Sequence, residues 1–183
     1  MFILASASPR REELLKKIID NFKIIPSSIK EDIPDNIAPM NVSEYLSTQK
    51  ALDIYKKNPN DTIISADTTI VFNNKIYGKA SSKEQAKQIL KLLSNSTHFV
   101  VTGVTVMSSK RSISFSSINE VTFYNLSDKE IDDYLSNDEY LDKAGAYAIQ
   151  GRGGLLVKKI NGDYNSIIGL PISELNQIIK RFF

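Results

Sequence analysis

The sequence predicts an α/β fold built on a mixed sheet. Segments with apolar residues at helical spacing, such as Leu14, Leu15, Ile18, Ile19 and Phe22, alternate with β-branched runs such as Thr62 to Phe72. Some of those runs turn back on themselves through short polar loops. Helices interspersed with hairpins indicate a mixed sheet, where strict βαβ repetition would give a parallel one.

Residues 2–5 read as a strand. A helix over 9–21 follows, with Ser8 suited to its N-cap and Pro9 to its first position. A strand near 22–26 stops at Pro26. Asn41 with Glu44 gives a capping signature for a helix over 42–57 that carries Val42, Tyr45, Leu46, Leu52 and Ile54. The run over 62–72 turns at Asn73-Asn74, a pair that tolerates positive φ, into residues 75–77. Ser81 and Glu84 start a helix over 82–94 with Ala86, Ile89, Leu90 and Leu93 on one face. Strands over 99–107 and 111–124 are joined by residues 108–110. Ser127 and Glu130 cap a short helix ending near Ser136. Strands over 145–149 and 155–160 flank Gly151-Arg152-Gly153-Gly154, and Gly169-Leu170-Pro171 opens a terminal helix. No repeat or linker interrupts the pattern, so a single domain over 1–183 is expected.

Composition narrows the chemistry. A formal net charge of +2 is too small to suggest bulk nucleic-acid binding. The absence of cysteine excludes disulfides, thiolate metal sites and cysteine nucleophiles. With one histidine, His98, general-base and metal-ligand work falls to carboxylates. His98 itself reads as a residue satisfying a local hydrogen bond at a strand start. There is no signal-peptide pattern and no apolar run of membrane-spanning length, so a cytoplasmic protein with no membrane partner is expected.

Ser6-Ala7-Ser8-Pro9-Arg10-Arg11 is the most informative stretch. Two arginines in a first helical turn oppose the helix dipole, a conflict that a bound polyanion removes. The segment therefore reads as a phosphate-binding corner, against the plainer reading of a solvated turn. Asp67 interrupts an otherwise apolar and β-branched strand, where an unpaired carboxylate would be costly, so it should meet a metal ion, a basic side chain or water in a cleft. Lys79 falls opposite Thr68 in the hairpin register, and a bulge at Gly78 would bring its ammonium round to Asp67. Lys50 projects from the second helix. Gln150, at the end of a strand, could read a base edge with its donor and acceptor. The Gly151–Gly154 loop is followed by strand residues and not a helix, so it is no dinucleotide loop.

Together these pieces resemble the Maf family of nucleoside triphosphate pyrophosphatases, also called septum formation inhibitor Maf-like proteins. The matching motifs are Ser6-Ala7-Ser8-Pro9-Arg10-Arg11, Lys50-Ala51, Ala66-Asp67-Thr68, Gly78-Lys79, Thr97-His98 through Gly103-Val104, Asp142 through Gly151, and Gly169-Leu170-Pro171. Ala80 stands where the family usually has proline after the Gly-Lys pair.

The resemblance implies an elongated central sheet with flanking helices and two lobes around a nucleotide cleft, as in inosine triphosphate pyrophosphatase-like folds. It implies a homodimer, a nucleoside triphosphate as partner, no stable nucleic-acid partner, and metal-dependent release of pyrophosphate. The tract Ala146 to Gly151 looks like the branch acting on dTTP and UTP. Asp67 matches the position regarded as catalytic base, and Arg10, Thr68 and Gln150 match positions linked to substrate choice. On this reading Arg10 and Arg11, with Ser8, clamp phosphates, and Lys50 and Lys79 neutralise charge across the α–β bridge. A divalent cation, most simply Mg²⁺, would be held by Asp67 with Glu31 as a second ligand. The competing readings are a non-catalytic nucleotide-binding regulator of septum formation and a single-strand binder using the Phe and Tyr residues.

Overall fold

The computed structural model describes residues 1–183. Strands β1 (Phe2–Leu4), β2 (Phe22–Ile24), β3 (Thr62–Phe72), β4 (Lys75–Tyr77), β5 (Thr97–Met107), β6 (Ser112–Phe123) and β7 (Val157–Asn161) form one sheet. Its order is β2-β1-β3-β5-β6-β7, with β4 attached to β3. β1 is parallel to β2 and β3, and the other pairings are antiparallel, so the sheet is mixed as the sequence implies. The helices are α1 (Pro9–Leu15), α2 (Val42–Lys57), α3 (Lys83–Leu93), α4 (Asp128–Tyr134), α5 (Tyr164–Ile168) and α6 (Ile172–Phe182). None is long and apolar enough to cross a membrane.

The long strands β3, β5 and β6 each serve two lobes. Near one end, Ile64, Ala66, Val104 and Val106 pack with Leu4, Leu15 and Leu175, while Ile63 on the opposite face of β3 packs with Ile3, Ala51 and Ile54. Toward the other end, Ile70, Val100, Val121 and Phe123 join a larger core with α3, α4 and Tyr147. Strand alternation fixes these faces. Asp67 and Thr68 fall between the two packed ends.

The hairpin loop is as expected, with Asn73 and Asn74 at φ 49° and 57°. Ser127 and Glu130 form a reciprocal capping box. Elsewhere local signals misplace boundaries. α1 ends at Leu15, not residue 21, because the chain must return to pair Phe22 with Phe2 at the start of β1. Ile18, Ile19 and Phe22 still pack on that core, from a non-helical path. α3 is capped one residue later than expected: Ser82 accepts from Gln85 N–H, and Ser81 bonds the Gln85 side chain. Asn41 makes no side-chain cap, and Glu44 bonds the Ser116 hydroxyl at 2.7 Å.

The expected strand over 145–149 does not exist. Gly145 and Ala146 lie at φ 66° and 62°, which no strand accommodates, and Gly145 N–H donates to the Tyr77 and Gly78 carbonyls. Residues 152–156 form a 3₁₀ turn, so β7 begins at Val157.

Gly103 lets α2 lie directly on the sheet. A Cβ there would sit 2.2 Å from Glu44 N and 2.3 Å from the Ser43 carbonyl carbon, and Gly103 is the register partner of Asp67. Gly103→Ala is therefore expected to cost about 1–3 kcal/mol, lowering Tm by roughly 3–10 °C in thermal unfolding.

His98 is fully buried, with Nε2 at 2.8 Å from the Tyr147 hydroxyl and its ring edge-on to Phe123. The expected hydrogen bond is present, but to a distant residue. Burial lowers its pKa to about 4. The unfolded chain then binds this proton more readily between pH 6.5 and 4. Its stabilising contribution is full above pH 6.5 and is lost as pH falls toward 4, by about 3 kcal/mol in all. Urea unfolding at pH 7 and pH 4.5 should show this loss in the wild type and a smaller one in His98→Phe.

Candidate active site

β1 pairs with residues 62–64 of β3 and β4 with residues 70–72, so the stretch between them has no neighbour on that edge. Two short strands thus leave a gap beside Asp67 and Thr68. A cleft of about 690 Å³ opens there, within the size range of small-molecule sites. Ser8, Arg10, Arg11, Glu31, Lys50, Asp67, Thr68, Lys79 and Gln150 all line it, so the structure brings the sequence-derived candidates together.

Asp67 projects toward α2 and Thr68 toward α1 and α5, as adjacent strand residues must. The Lys50 ammonium sits 2.6 Å from Asp67 Oδ1 and 2.7 Å from Glu31 Oε1. Lys50 and Asp67 are largely buried, whereas Glu31 comes from the irregular segment before α2 and is 53% exposed. Burial raises the Asp67 carboxyl above the usual range; Lys50 and Arg11 oppose this without cancelling it. A carboxylate held this way is more basic than an exposed aspartate, which suits a proton acceptor.

The two arginines differ. Arg11 is fastened within the protein: Nε donates to the Gly169 carbonyl at 3.0 Å, Nη1 to Ser6 Oγ at 3.4 Å and Nη2 to Thr68 Oγ1 at 3.1 Å. A free phosphate fork is thus not its arrangement. Arg10 makes no side-chain hydrogen bond or ion pair and is half-buried, so its desolvated charge has no counter-ion. Ser8 precedes the first turn but does not cap α1 with its hydroxyl, and α1 has only 7 residues. Positive charge at this corner comes from the arginine side chains more than from the helix end.

Lys79 departs from expectation. The β3–β4 ladder ends at Tyr77 without a bulge that carries Lys79 back to Asp67. Lys79 instead bridges Ala144, and its exposed ammonium lies 3.4 Å from Asp142 on the cleft rim. Gln150 is exposed in a turn, not at a strand end, and its amide makes no protein hydrogen bond. In the glycine loop, the Arg152 and Gly153 N–H groups donate to the Glu139 carboxylate at 2.9 and 3.0 Å. That carboxylate fills the place an anionic ligand would take.

Sequence reasoning missed Lys143 as a site residue. It lines the cleft, and burial together with nearby Arg10 lowers its pKa. Its signal was the Asp142-Lys143 pair placed just before a tract of small residues. Arg10, Arg11, Lys50, Lys79 and Lys143 outnumber Glu31, Asp67 and Asp142, so the cleft is cationic although the chain is nearly neutral.

A family model described as Maf-like protein matches residues 1–182. The chain belongs to the Maf-like protein family. A relative from Bacillus pumilus, named dTTP/UTP pyrophosphatase, is 46% identical over 98% of this chain and 95% of its own length. A Bacillus cereus protein of the same name is 42% identical over 98% and 94%. Among solved structures, the Staphylococcus aureus Ham1 protein superposes with a TM-score of 0.50 at 16% identity, covering 98% of this chain and 97% of that one. That likeness concerns the fold: this Maf-like chain shares the elongated α/β architecture.

Proposed function

We propose that this chain hydrolyses dTTP and UTP to the nucleoside monophosphate and pyrophosphate, acting as a single domain, a homodimer and a cytoplasmic enzyme. The observation that carries the reading is the buried, basic Asp67 at the centre of a cation-lined cleft. The name shared by relatives 42–46% identical to it supports the choice of substrate.

Phosphoanhydride hydrolysis needs an aligned water and charge neutralisation, with little covalent chemistry from the protein. Asp67 orients that water and accepts its proton. Arg10 meets the phosphates, since its charge has no protein counter-ion, and Lys143 and Lys79 add positive potential from the rim. Lys50 balances the Asp67 charge and can turn toward phosphate oxygens on nucleotide binding. Ser8, Thr68 and Gln150 offer uncharged contacts, with Gln150 free to read a base edge.

The donor set also fits a divalent cation. Asp67 and Glu31 oxygens already converge on one positive centre, the Lys50 ammonium. No group of three or more His, Cys, Asp or Glu could hold a metal alone. Mg²⁺ is commonly bound by one or two carboxylates plus substrate phosphates, so Asp67 and Glu31 would hold it jointly with the nucleotide. Bound there, it would neutralise phosphate charge. The test is pyrophosphate release from a panel of nucleoside triphosphates with Mg²⁺. Turnover of dTTP and UTP with ATP and GTP nearly untouched is expected; preference for a purine overturns the assignment.

A further inference from the structure

We infer that Thr102 is a positioning residue that fixes the direction of the Thr68 hydroxyl, and so makes the cleft wall select a nucleotide base with a ring N–H. This rests on the reading of the cleft as a pyrimidine nucleotide site. Arg11 Nη2 donates to Thr68 Oγ1 at 3.1 Å, Thr68 Oγ1 lies 2.9 Å from Thr102 Oγ1, and Thr102 Oγ1 is 2.8 Å from the Ser166 carbonyl oxygen. A carbonyl only accepts, and a hydroxyl has a single hydrogen. Thr102 gives its hydrogen to Ser166, so it accepts the hydrogen of Thr68. Thr102 and Ser166 are fully buried, which keeps water from competing for these bonds.

Thr68 therefore receives from Arg11, donates to Thr102, and retains one lone pair. It is half-buried on the cleft wall and has no hydrogen to offer there. Uracil and thymine carry N3–H between two carbonyls, whereas cytosine has a bare N3. A lone pair attracts the first and repels the second. Arg11 Nη2 bears a second N–H beyond the one given to Thr68, which suits an adjoining carbonyl. Sites that fix hydrogen-bond polarity discriminate far more strongly than those that sense size.

The test compares UTP with CTP in wild type, Thr102→Ser and Thr102→Val. Binding is measured by calorimetry in chelator, and kcat/KM is measured with Mg²⁺. Wild type should prefer UTP in both. Thr102→Val frees the Thr68 hydrogen to turn into the cleft, so the UTP-to-CTP ratio should fall at least about tenfold, chiefly through binding and KM. Thr102→Ser should retain the ratio within roughly threefold. In a Thr68→Val background, Thr102→Val should have no further effect on it. Thr102→Cys, which fills the volume with a poor acceptor, replaces Thr102→Val should that variant not fold. A folded Thr102→Val with an unchanged ratio, or a wild type binding both nucleotides equally, overturns the inference. Selective binding without turnover would overturn the hydrolase reading and leave the role of Thr102 supported.

Discussion

Asp67→Asn is expected to cut turnover of dTTP by about 10²–10⁴, the usual worth of a general base. The amide keeps the shape and one accepting oxygen for Lys50, but it is not basic and carries no charge. Stability should change little. Removing a carboxylate whose pKa burial has raised relieves desolvation, while Lys50 keeps Glu31 as its remaining counter-ion. Turnover and thermal unfolding measured on the same samples decide the matter. A folded variant with wild-type activity would remove Asp67 from the chemistry; a strongly destabilised but active one would make it structural.

Arg10→Ala and Arg11→Ala should fail differently, although the residues are adjacent. Arg10 has no protein partner to lose, so its removal should leave Tm nearly unchanged. Loss of a desolvated contact to phosphate should weaken nucleotide binding by roughly 2–5 kcal/mol. Arg11→Ala deprives the Gly169 carbonyl, Ser6 and Thr68 of a shared donor, and so loosens the link between α1, β3 and the turn after α5. A stability loss of about 2–4 kcal/mol, or roughly 5–12 °C in Tm, is expected along with reduced activity. Equal Tm values for the two variants would contradict this division of labour.

The contrast marks what the sequence could and could not tell. Arginines placed against a helix dipole pointed to the corner that lines the cleft, and Asp67 in an apolar strand pointed to a buried charge that needed a partner. Both signals are local violations of propensity, and such violations tend to occur at functional sites. That Arg11 is held by Gly169 could not be read, because the contact spans 158 positions and uses a backbone oxygen. The gap in the sheet was equally silent, since it follows from where β1 and β4 stop and not from any residue of β3. Ala146-Tyr147-Ala148-Ile149 looked like a strand because small and apolar residues alternate there. Buried turns favour small residues too, and the positive φ at Ala146 leaves no pattern in the chain. The hairpin register that would set Lys79 opposite Thr68 holds only from Ile70–Tyr77 to Phe72–Lys75; the ladder ends before Lys79, which bridges Ala144 instead.

The bond that breaks is the central claim, and product stoichiometry tests it most directly. Incubation of the purified chain with dTTP and Mg²⁺, followed by quantification of every phosphorus-containing product, should give dTMP and pyrophosphate in equal amounts, with no dTDP. Formation of dTDP with orthophosphate, or binding of dTTP without any turnover, would contradict the account.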